Sequence, residues 1–187
     1  DRSSGRAPAK TSGLPGRVGK TEMIAIDAGV LAHALNRYGP GHARAGAVVE
    51  SLVHGDHYWT LPWPALHTFV RLVTHPHRVA RPLAVADAWG FVALLLASPG
   101  ARPIGPGPGH GKAVTEILAL LPGARGPMPG LELAAVLREH GVRELLSTDR
   151  AMRAFPFFSV HDPLRGEPWT PGSAPARRYR RLSRPRA

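Results

Sequence analysis

Asp27 stands at the end of the apolar run in "MIAIDAGVLAHAL" (23–35), and Asp149 directly follows "ELLST". Each carboxylate ends a short stretch that reads as a buried strand and precedes a helical pattern. The simpler reading of each is a helix N-cap, a place where aspartate is favoured because its oxygen accepts a free backbone N–H. The alternative is a metal ligand. If the two strands are neighbours in a parallel sheet, both side chains leave it at the same rim. Two carboxylates held together repel, and a hard divalent cation relieves that repulsion. Mg²⁺, or Mn²⁺ in its place, needs only one or two protein carboxylates when a phosphate supplies further oxygens, so the pair suits metal-assisted phosphodiester hydrolysis.

Other candidate chemistry is weaker. "GPGPGHGKAV" (105–114) resembles a phosphate-binding loop, but Pro106 occupies the place of its first glycine, and Ala113 replaces the hydroxyl residue that would meet Mg²⁺. It reads as a turn-rich connection. His75 and His77 in "THPHR" lack an identifiable third ligand and are expected on a surface loop. His67, among apolar neighbours on a helix, is expected to be packed or capped. Trp59, Trp63 and Trp89 are expected as core or dimer-interface anchors.

Alternating strand and helix patterns must position the two aspartates. "MIAI", "HYWTLP", "ARPIGP", "VRELLST" and "FFSVHDP" read as strands. "GVLAHALNRY" and "HARAGAVVESLVHG" read as helices, the second with Ala45, Val48, Val49 and Leu52 on one face. "PALHTFVRLVTHP" follows, with Pro64 in its first turn and Pro76 beyond its end. "PLAVADAWGFVALLLAS", "GKAVTEILALLPG" and "GLELAAVLREHG" complete the helices, with Gly123 and Gly141 at stopping positions. Strands separated by helices require crossover connections, which predicts a three-layer α/β/α domain around a mainly parallel sheet.

The chain has 187 residues, 43% of them hydrophobic, enough for one domain with a real core. It has no cysteine, which excludes disulfides and thiolate metal sites and fits a cytoplasmic protein. No apolar run approaches the roughly 20 residues needed to span a bilayer, and no signal peptide is recognisable at the start. The net charge of +11 is unevenly placed. Residues 1–22 carry five basic and two acidic side chains, and 165–187 carry seven arginines and one glutamate, leaving 23–164 nearly neutral. Both ends are rich in Gly, Pro, Ser and basic residues without apolar periodicity, so they are expected to be disordered extensions of a domain at 23–164. Arg177, Arg178, Arg180 and Arg181, with Tyr179 between them, are candidate contacts to RNA phosphates.

Three segments carry a resemblance: "MIAIDAGVL", "LPWPALHTFVRLVTHP" and "REHGVRELLSTDRAMRAFPFFSVHDPL". In this order, across residues 23–164, the chain resembles PIN domains, most of all the VapC group of toxin ribonucleases from toxin–antitoxin pairs. The resemblance implies Mg²⁺-dependent endoribonuclease activity, dimerisation and a small antitoxin partner. It also implies four acidic positions. The first matches Asp27 and the last Asp149, with Ser147 in the supporting place two residues earlier. The second falls on Thr68 and the third on Gly130. Ala28 and Gly29 stand where the family has threonine and asparagine. Glu132, two residues past Gly130, is a candidate partial replacement, although i and i+2 positions of a helix point apart. With two carboxylates in place of four, activity is expected to be reduced. The rival expectation is a non-cleaving module that binds RNA or an antitoxin.

Overall fold

The computed structural model describes residues 23–123, 125–126 and 128–170. The segments 1–22 and 171–187, and with them Arg177, Arg178, Arg180 and Arg181, lie outside the described residues. Five parallel strands form the sheet: β1 (Ile24–Ile26), β2 (Trp59–Pro62), β3 (Ala101–Ile104), β4 (Glu144–Leu146) and β5 (Ser159–His161). Their spatial order is β3-β2-β1-β4-β5. The helices are α1 (Ala28–Leu35), α2 (His42–His54), α3 (Trp63–Thr74), α4 (Val85–Leu96), α5 (His110–Leu120) and α6 (Leu131–Glu139), with a 3₁₀ turn at Arg150–Ala154.

β1 is the central strand, and all three of its residues are buried because helices cover both faces. Ile24 and Ile26 enter one apolar cluster with Leu31, Leu52, Trp59 and Phe69. Ala25, pointing the other way, enters a second with Ile117, Leu137, Leu145 and Phe155. A strand buried on both faces reads as an unbroken apolar run, which is why "IAI" shows no polar alternation. The chain lays down β1, β2 and β3 in one direction and then places β4 on the opposite side of β1. At such a reversal a crevice opens outside the C-terminal strand ends.

β2 passes into α3 without a loop: Pro62 ends the strand and serves as N-cap, with Pro64 in the first turn. Pro at this place lacks only an N–H that the helix leaves free anyway. α3 buries Ala65, Leu66, Phe69 and Val73, packs on α1 and α4, and reaches α6. His67 departs from the packed or capped expectation. It lies on the far side of the helix from Leu66, Phe69 and Val73 and is exposed, its ring 5.8 Å from that of Trp63. Trp59 is a core anchor with no exposed surface, whereas Trp63 is half-buried and stacks at 6.4 Å on Trp89, which stays exposed.

The connection 105–109 is tied down by Glu139 at the end of α6, whose carboxylate accepts from Gly107 N (3.0 Å) and Gly109 N (2.8 Å). These bonds hold its pKa below the ordinary value. Two of the amides that a phosphate loop would offer are thus already taken. Gly141 ends α6 at φ +68, and Val142 N donates to Leu137 O at 2.9 Å, a closure that glycine permits most readily. Beyond 164 the packed chain continues: Arg44 Nη2 donates to Gly166 O, and Trp169 packs against the first cluster. Among the described residues no helix is long and apolar enough to cross a membrane.

Candidate active site

β1 and β4 are adjacent, in the register Ile24↔Glu144, Ala25↔Leu145, Ile26↔Leu146. One residue on, Asp27 N donates to Leu146 O at 2.9 Å, so both strands run off the sheet together. Asp27 and the segment Ser147–Asp149 therefore meet at one rim. Ser147 joins them: its hydroxyl donates to Asp27 Oδ2 at 2.6 Å and accepts from Asp149 N at 3.0 Å. Each aspartate also caps the helix it precedes. Asp27 Oδ1 accepts from Ala28 N at 2.6 Å, and Asp149 Oδ1 accepts from Ala151 N at 2.9 Å. The cap and the shared site are two uses of the same carboxylates.

Both aspartates line one cleft of about 750 Å³. Thr68 and Gly130 line it as well, so all four positions expected to be acidic converge, two of them without a carboxylate. Glu132 is also in the wall. It reaches the cleft together with Gly130 because Gly130 is the N-cap of α6 and lies outside the helix, where helical i, i+2 geometry does not hold. Burial raises the pKa of Asp27; the bonds from Ser147 and Ala28 oppose this, and the charge of Asp149 adds to it. Asp149 and Glu132 are exposed.

Two small residues have been closed in by their neighbours. Gly130 has φ +80, and an added Cβ there would collide with the sulfur of Met152. An added Cβ at Gly29 would collide with the hydroxyl of Thr148. Side chains from other elements now fill the space that larger residues at these positions would need.

The donors available to a cation are hard carboxylate oxygens, which suits Mg²⁺ or Mn²⁺. Among the described residues no group of three or more His, Asp or Glu side chains is arranged to hold a metal ion. The set fits a cation that keeps much of its water and shares a substrate phosphate, and does not fit a closed protein cage. Asp27 and Asp149 are the residues that would hold it.

Sequence reasoning missed two cationic side chains in the cleft, Arg71 and Arg78, and named His75 without placing it there. The available signal was helical spacing, since Thr68, Arg71 and His75 follow one face of α3 and its end. His75 and His77 are exposed as expected, with His77 N donating to His75 Nδ1 at 3.1 Å.

Among known proteins, the Mycobacterium tuberculosis ribonuclease VapC48 is 30% identical over 141 residues, covering 75% of this chain and 97% of that protein. VapC33 of the same organism is 32% identical over 143 residues, covering 76% and 99%. The chain belongs to the VapC family of ribonucleases. VapC43 agrees, at 30% identity over 145 residues, 78% of this chain and 98% of that protein. No protein-family model matches the sequence. The crystal structure of M. tuberculosis VapC20, described as a sarcin–ricin loop cleaving toxin, superposes with a TM-score of 0.52 at 16% identity. It covers 72% of this chain and 95% of that one, and supports the α/β/α PIN fold.

Proposed function

We propose that the protein is a divalent-cation-dependent endoribonuclease, the toxin half of a toxin–antitoxin pair, working at the Asp27–Asp149 rim with reduced activity. The observation that carries this reading is the convergence of Asp27, Thr68, Gly130 and Asp149 on one cleft. Family membership supports RNA as substrate, a small antitoxin as restraint, a homodimer and a cytoplasmic setting.

Asp27 and Asp149 would hold the cation, and Glu132 is a further carboxylate lining the same cleft. When bound, the cation supplies charge neutralisation at the phosphate and a lowered pKa for attacking water. Ser147 fixes the orientation of Asp27 and ties it to the Asp149 backbone, so the two acids keep their spacing. Thr68 offers a neutral hydroxyl where a third charge would strengthen binding. With two carboxylates in place of four, the residues present would hold a cation weakly without an RNA phosphate.

Cleavage of a structured RNA, followed against Mg²⁺ and Mn²⁺ concentration, tests the reading. Slow cleavage that rises with cation is expected. Asp27→Asn and Asp149→Asn should each reduce it by more than the roughly 10–100-fold that outer-shell partners of a metal are worth. Cleavage indifferent to both substitutions would overturn the reading. Thr68, Gly130 and the Met152 collision favour a second one, a protein that binds RNA or an antitoxin without cutting; RNA binding with no cleavage at any cation concentration would select it.

A further inference from the structure

The cleft is lined by groups of both kinds: the carboxylates of Asp27, Glu132 and Asp149, and a face of α3. That face presents Pro64, Thr68, Arg71 and His75 at helical spacing, and the chain then turns, Arg78 N donating to His75 O at 3.1 Å. Beyond the turn Arg78 lines the same cleft as Arg71. Among the described residues neither guanidinium has a carboxylate within 4.0 Å, although three carboxylates line the same cleft. Arg44 and Arg138, by contrast, are spent on carbonyls and on Glu116. Two unpaired guanidiniums lining one cleft are positioned for an external anion, and their planar fork matches the oxygens of a phosphate.

We propose that Arg71 and Arg78 form a clamp for the RNA backbone that binds phosphate without a divalent cation, so that RNA enters first and completes the metal site. This deepens the proposed function and rests on reading the cleft as an RNA site. The absence of a carboxylate at Thr68 fits the clamp, because a glutamate one turn before Arg71 would compete with phosphate for the guanidinium. The division of labour follows: α3 grips the backbone, and the β1–β4 rim receives the cation that the phosphate brings within reach.

The test uses the full chain and a single-stranded RNA, with the divalent cation withheld so that hydrolysis by cation-activated water does not proceed. Affinity is measured against salt concentration in the presence of EDTA. Each phosphate contact on a single strand contributes about 0.7 to the slope of log K against log salt. Arg71→Ala and Arg78→Ala should each lower the slope by about that amount, and the double variant by about 1.4. Arg143→Ala, just before β4 at the opposite end of the sheet, should leave it unchanged. Arg71→Lys should keep the slope and weaken affinity, having kept the charge and lost the fork. Slopes that fall in this pattern support the clamp whether or not the protein cuts RNA. Wild-type slopes in both alanine variants, or RNA binding that appears only when Mg²⁺ is restored, overturn it even if cleavage is robust.

Discussion

Asp27 is held by two short hydrogen bonds and is nearly buried, yet burial still favours its neutral form. Its folded pKa lies above the ordinary 3.8, so the native state binds this proton more tightly than the unfolded chain. The stability it contributes is full below the unfolded value and is lost as pH rises through the folded one. Asp27→Asn removes that loss. Urea unfolding should find the variant at least as stable as the wild type near neutral pH, with a flatter pH dependence above about pH 4. Parallel curves for the two proteins would show that Asp27 carries no such burden. The two positions expected to be acidic differ in how they can take a carboxylate. Thr68→Glu places a carboxylate on a half-buried cleft position and should raise Mn²⁺ affinity by about tenfold or more, about 1.4 kcal/mol. Gly130→Asp meets both a left-handed backbone and Met152, and should cost about 2–4 kcal/mol of stability on urea unfolding. Equal stability of the two variants would contradict the steric conflict at Gly130. The pairing of Asp27 with Asp149 was legible because each follows a buried strand. The closure around Gly29 and Gly130 was not, since it depends on Thr148 and Met152, whose approach only the folded chain fixes.

At the scale of elements, strands and helices follow from apolar runs and their punctuation by Pro and Gly. The five strands were readable because each is short and bounded, and parallel pairing followed from the helices between them. Which side of a helix is buried was readable for α2, whose apolar stripe stands against polar residues. It was hidden for α4, where "VADAWGFVALLL" is apolar nearly all round and leaves Trp89 and Leu94 exposed. α3 is the element on which the site depends most. Its core face seats it between α1 and α4, and its other face carries Thr68, Arg71 and His75 into the cleft. Phe69 has no exposed surface, so Phe69→Ala should cost about 3–5 kcal/mol by denaturant unfolding. Near-wild-type stability would mean that the core face does not anchor α3.

The whole molecule joins a nearly neutral domain to basic ends. Electrostatic contacts from an arginine-rich end add affinity without sequence preference and weaken with salt. Deleting residues 171–187, which contain six arginines, should flatten the salt dependence of RNA binding while leaving cation-dependent cleavage in place. An unchanged salt slope would exclude the tail from RNA binding. The central claim concerns the shared rim, where two carboxylates from distant parts of the chain accept one cation together with an RNA phosphate. Titrating Mn²⁺ by the electron paramagnetic resonance of the free ion, with and without a single-stranded RNA and read before cleavage proceeds, addresses it directly. One ion per chain is expected, bound about tenfold or more tightly when RNA is present, and lost in both Asp27→Asn and Asp149→Asn. Mn²⁺ binding that survives both substitutions, or that ignores RNA, would contradict it.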